Sequence, residues 1–180
     1  MASSMDRRWL RWATCTTLLN TCPLPTIPSC WPRRSPVELP SAVVFSIDPE
    51  IADTEAFGEG PETCANCVIV RGKRGDIEKY VACLVLATTR VDVNKVVRKK
   101  LDVRKASFAP IDEAVGMSGM EYGGITPVGL PAEWPIWIDP RVAEAEAVCI
   151  GSGLRSSKLI VSGGDVLSLS GAEVVAGLAN

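Results

Sequence analysis

Cys64 and Cys67 stand in the stretch CANC, the C-x-x-C spacing shared by redox dithiols and zinc sites. A closed zinc site needs four ligands, and the chain has neither a second C-x-x-C nor any histidine to complete one. The other cysteines, at 15, 22, 30, 83 and 149, follow no framework spacing, so the seven read as reduced thiols that mostly fill space, and no metal is expected. A chain with no histidine cannot run Ser-His-Asp or Cys-His chemistry and lacks the usual proton shuttle near neutral pH. The remaining unusual stretch is EYGGITPVGLP, Glu121 to Pro131, whose only reactive side chains are Glu121, Tyr122 and Thr126. Glycine and proline at this density shape the main chain, so the segment is built either to present backbone N–H and C=O groups or simply to turn.

Charge provides a second signal. Residues 90–105 hold seven cations against Asp92 and Asp102, a local +5 on a chain whose formal net charge is −2. Lys95, Arg98, Lys99 and Lys100 lie on the predicted helix within this run, and Arg71, Lys73 and Arg74 add to it. Such asymmetry suits contact with a nucleic-acid backbone; a solvated helix face is the alternative. Asp139, before Pro140, suits a helix N-cap as well as a catalytic acid.

The elements that must position these residues begin near Ser41. CVIV (67–70) and YVACLVLA (80–87) read as a β-hairpin with a long charged connection. VDVNKVVRKKL (91–101) reads as a helix capped by Asp92, ASFAP as a short strand, and IDEAVGMSG as a helix ended by glycine. WPIWID (134–139) is a strand, DPRVAEAEA a helix, VCIGSG and KLIVS a strand pair, and GGDVLSLSGAEVV a helical turn with a last strand. Short strands mixed with helices, without a G-x-G-x-x-G after the first strand, point to α+β.

The order TTRVDVNKVVRKKL, YGGITPVGLP, PIWID, GSGLRSSKL resembles the YbaK/ProX family of aminoacyl-tRNA deacylases and prolyl-tRNA synthetase-associated editing domains, over roughly residues 45–178. The resemblance implies a mixed, largely antiparallel, barrel-like β-sheet surrounded by helices, and hydrolysis of the ester of a mischarged tRNA. It implies that Gly123, Gly124, Ile125, Thr126 and Pro127 hold the 3′-terminal adenosine and its ester, with Gly151, Ser152 and Gly153 facing them and Asp139 at the family's late acid. Asn66 falls where the family carries a substrate-contacting lysine. Asparagine donates hydrogen bonds but brings no charge, so catalysis is assigned to Asn66, Gly151 and Ser152, and Lys158 is the nearest cation to stand in.

Two readings from different classes follow. One is a stand-alone cytoplasmic deacylase that clears a small mischarged amino acid, needs no cofactor, and has aminoacyl-tRNA, and at most a synthetase, as partner. The other is a non-catalytic tRNA or aminoacyl-nucleotide binding module that has lost the lysine. No apolar run is long enough to span a membrane. Residues 1–40 read as an atypical tail, disordered or not native to the domain: six prolines, three tryptophans, and five arginines against Asp6 and Glu38, which leaves −5 on the domain at 41–180.

Overall fold

The computed structural model describes residues 39, 42–51 and 61–180. Most of the expected tail therefore lies outside the described residues. Among the described residues eight strands form two sheets. In the first, β1 (Val43–Ser46), β7 (Ser157–Val161) and β6 (Val148–Gly151) run antiparallel with β7 central. The second has the order β4-β2-β3-β5-β8, made from Lys105–Phe108, Ala65–Arg74, Ile77–Leu86, Ile136–Ile138 and Ala172–Val174. Its first two pairings are antiparallel, whereas β3–β5 and β5–β8 are parallel.

The architecture is mixed α+β, as expected, but the sheet is not closed into a barrel. The Gly/Pro segment between residues 119 and 135 contributes no strand to either sheet. Among the described residues the two sheets are linked by an isolated parallel bridge, Cys64 to Cys149.

The hairpin differs from its reading. β2 and β3 run through the charged residues, and the connection shrinks to Gly75 and Asp76. Alternation explains this: Lys73 and Glu78 are opposed across the strands and pair at 3.2 Å, while Gly75 supplies the φ of 62° that a two-residue turn needs.

Helices follow their local signals. Helix α1 opens as a wide π turn over Val93–Val97 and continues as Arg98–Lys100, with the Asp92 carboxylate accepting from the Lys95 N–H. Val97 and Leu101 bury its inner face against Val70, Val81, Val85 and Trp137. Helix α2 (Ile111–Ser118) ends at Gly119 with φ 70°, and it is tied to the hairpin by Arg71–Glu113 and by Tyr80 Oη donating to Glu113. Helix α3 (Pro140–Ala143) starts on Asp139, and α4 (Gly163–Leu167) carries a capping box from Ser162 and Asp165.

Candidate functional site

The Gly/Pro segment does not float as a loop. It is stitched to the turn between β6 and β7 by main-chain bonds: Glu121 N–H to Gly153 O at 2.9 Å, and Gly153 N–H to Gly124 O at 2.7 Å. Arg155 completes the clamp, its N–H donating to Glu121 Oε2 and its guanidinium to Tyr122 O and Pro49 O. Glycine is needed at both contacts for a steric reason. A Cβ on Gly151 would lie 2.4 Å from Gly124 O, and one on Gly124 would lie 2.7 Å from the Leu154 backbone.

Beside this junction opens a cavity of about 360 Å³. The start of β2 forms one wall through Asn66 and Cys67; Gly123 and Ile125 form another; Gly151 and Lys158 close it from the three-stranded sheet. Phe108, Ile111 and Tyr122, all more than half exposed, also line it. The Gly123 and Ile125 N–H groups find no acceptor among the described residues, so two main-chain donors at the cavity are uncommitted. Lys158 is the cavity's one charged lining side chain among the described residues, although it is only 7% exposed.

The residues singled out from sequence therefore divide. Asn66, Gly123, Ile125 and Gly151 meet at the cavity. Gly124, Thr126, Pro127 and Gly153 do not line it: Gly124 and Gly153 form the junction beside it, and Thr126 keeps a fully buried hydroxyl with no hydrogen-bond partner among the described residues. Ser152 turns away into the β6–β7 turn, with its hydroxyl 2.6 Å from Ser157 Oγ and donating to Ser157 O at 2.9 Å. Asp139 does not line the cavity: it caps α3 and grips Arg141 with both oxygens at 2.8 Å. Burial would push this carboxyl up, but the Arg141 guanidinium and N–H hold it below the usual carboxylate range. Phe108, Ile111 and Cys67 were not foreseen, because lining a cavity is a tertiary property that an isolated residue in ASFAP or IDEAV does not announce.

Cys64 and Cys67 do not act as a pair. Cys64 faces Cys149 across the inter-sheet bridge, and the Cys149 thiol donates to it. That hydrogen bond, aided by the Lys158 charge and by Thr63 and opposed by burial, brings the Cys64 thiol down to about 7. Burial raises Cys67 far out of range and pushes Cys83 up to about 12, so both are inert packing. Among the described residues no group of three or more His, Cys, Asp or Glu side chains could hold a metal.

A second concavity, of about 410 Å³, lies further along β2 and β4. Arg71, Lys73, Arg98, Arg104 and Lys105 converge on it from three segments of chain. Of the four helix cations expected to touch nucleic acid, it takes in Arg98 alone. Lys100 is committed to Glu173 at 2.7 Å and sits 5.3 Å from the Trp137 ring centre, while Lys95 and Lys99 are exposed outside the groove. The cavity uses β2 through Ile69 and the groove begins at Arg71, so Ile69 to Lys73 spans about 13 Å at ~3.3 Å per residue.

The α+β fold thus carries a small cavity lined by one buried cation and, beside it, a basic groove. The aminoacyl-tRNA editing domain model matches residues 48–169, and the chain belongs to that family. In fold it is similar to the crystal structure of a hypothetical protein (TM-score 0.67, 18% identity, 78% of this chain and 92% of that one). It is also similar to a candidate trans-editing enzyme for prolyl tRNA synthetase (TM-score 0.63, 19% identity, 75% of this chain and 85% of that one). No helix among the described residues is long and apolar enough to cross a membrane.

Proposed function

We propose that the chain hydrolyses, in trans, the ester joining a small amino acid to the 3′ end of a mischarged tRNA. The observation that carries this reading is the meeting of Gly123, Ile125, Gly151 and Asn66 around one small cavity in a chain of the editing family. Attack of water on the ester carbonyl builds negative charge on its oxygen. The tetrahedral species then collapses to a free amino acid and a ribose hydroxyl. The uncommitted N–H groups of Gly123 and Ile125 suit that oxyanion, and such donors are worth roughly 2.7–4 kcal/mol each where measured. Asn66 orients the carbonyl or the attacking water. Among the described residues the cavity lining brings no histidine or carboxylate, which leaves the proton to solvent or to the vicinal hydroxyl of the terminal ribose.

At about 360 Å³ the cavity is at the low end of ligand sites, which fits a small side chain plus the ester and leaves the adenine to the rim. Phe108 and Tyr122 offer ring faces there for stacking. The basic groove then takes the phosphates of the single-stranded acceptor end. Incubating the full chain with tRNAs charged with alanine, serine, cysteine and proline tests this. Release of at least one of these amino acids, slowed strongly by Asn66→Ala, is expected. Stable esters throughout, with tRNA still bound, would leave the non-catalytic binding module as the better reading.

A further inference from the structure

Hydrolysis with no histidine and no metal cluster among the described residues leaves open what counters the charge of the transition state. Lys158 lies directly opposite Gly151 in the β6–β7 ladder. Opposed residues of an antiparallel pair project to the same face of the sheet. The missing Gly151 side chain points at Gly124 O and Ile125 O, so the Lys158 side chain leaves β7 on the face that carries the 124–125 turn.

The lysine is thereby enclosed. It is 7% exposed on the central strand of its sheet, and none of the ion pairs among the described residues includes it. Lysine is almost never this buried without a partner, because moving an ammonium out of water is costly. The ionisable groups its charge acts on are the thiols of Cys64 and Cys149, so among the described residues it meets no carboxylate and its charge is available to the cavity it lines.

We infer that Lys158 is a catalytic residue whose ammonium, entering from β7, supplies the positive charge that meets the ester oxyanion in the cavity it lines together with the uncharged Asn66. This rests on the hydrolytic reading above. Water adds to the carbonyl carbon, and the electron pair of the C=O bond moves onto oxygen beside Lys158. On collapse the carbon–oxygen bond to the ribose breaks and the departing oxygen takes a proton from the attacking water. Lys158 transfers no proton in this sequence; its part is electrostatic.

The test uses the full chain and whichever of the four charged tRNAs the wild type hydrolyses. Lys158→Met, similar in length and without charge, should lower kcat by about 10²–10³-fold while KM changes only a few-fold, with an unchanged circular dichroism spectrum. Asn66→Lys placed in the Lys158→Met background should recover at least about tenfold, because it returns a cation to the lining of the same cavity. A Lys158→Met protein with wild-type kcat overturns the inference. If that variant fails to fold, Lys158→Gln takes its place with the same expected loss. A wild type that hydrolyses none of the four overturns the hydrolytic reading instead. The probe is then 3′-alanylamino-3′-deoxyadenosine, and equal affinity for it in wild type and Lys158→Met overturns the assignment of Lys158 to this site.

Discussion

The cavity and the basic groove lie along the same two strands, yet they are built by opposite means. The cavity is made of backbone brought within contact distance, with one buried cation and no carboxylate in its lining among the described residues. The groove is made of long side chains, of which Arg71 and Lys73 are already shared with Glu113 and Glu78. A group fixed in low dielectric contributes a large, discrete effect, whereas exposed charges contribute small effects that salt can screen. The first arrangement suits bond breaking, and the second suits holding a flexible polyanion.

The contrast is broken most severely at Gly151. A methyl group there overlaps Gly124 O and Ile125 O, so Gly151→Ala should cost about 3 kcal/mol of stability and abolish deacylation, read by thermal melting and ester release. Asp139→Ala should cost about 2 kcal/mol by removing the helix cap and the pairing with Arg141, yet leave kcat of the folded protein within about twofold, since Asp139 does not line the cavity. Its folded pKa is depressed, so this contribution is fully present above the unfolded carboxylate pKa and disappears as pH falls through the folded one. Melting curves of wild type and variant should converge in acid.

In the groove, reversing charge at Arg104 and Lys105 together should weaken tRNA binding by about tenfold at low salt. The salt slope should flatten by about 0.7 for every phosphate that the variant no longer neutralises. The same reversal at Lys95 and Lys99 should do much less; equal effects would mean that the whole helix, not the groove, meets the nucleic acid. The smallest expected effect concerns Cys64. As pH rises through about 7 its thiolate appears beside Cys149 and Lys158, with Glu62 and Thr63 the other groups acting on it. That negative charge should weaken the lysine's field a few-fold, and Cys64→Ser should remove the decline from the rate–pH profile.

What could be read from sequence was what is settled locally. Asp92, Asp139 and Gly119 act through hydrogen bonds or a φ value set within a few residues, so their roles at helix ends were legible. The Gly/Pro segment announced that backbone would be presented, though not to which strand. Lys158 illustrates the limit: its burial depends on the 151–158 register and on a turn more than 30 residues upstream, none of which local spacing encodes. The groove is similar, because its five cations come from β2, α1 and the β4 region and are united only by the sheet. The barrel expectation failed for the same reason, since closure depends on strand pairing between distant edges.

The most direct test of the account is hydrogen–deuterium exchange of the full chain with and without a non-hydrolysable aminoacylated CCA trinucleotide carrying a 3′-amide. The account predicts new protection at residues 66–69, 123–125 and 151, with weaker, salt-sensitive protection at 104–107. Protection confined to other surfaces, with these segments unchanged, would contradict it.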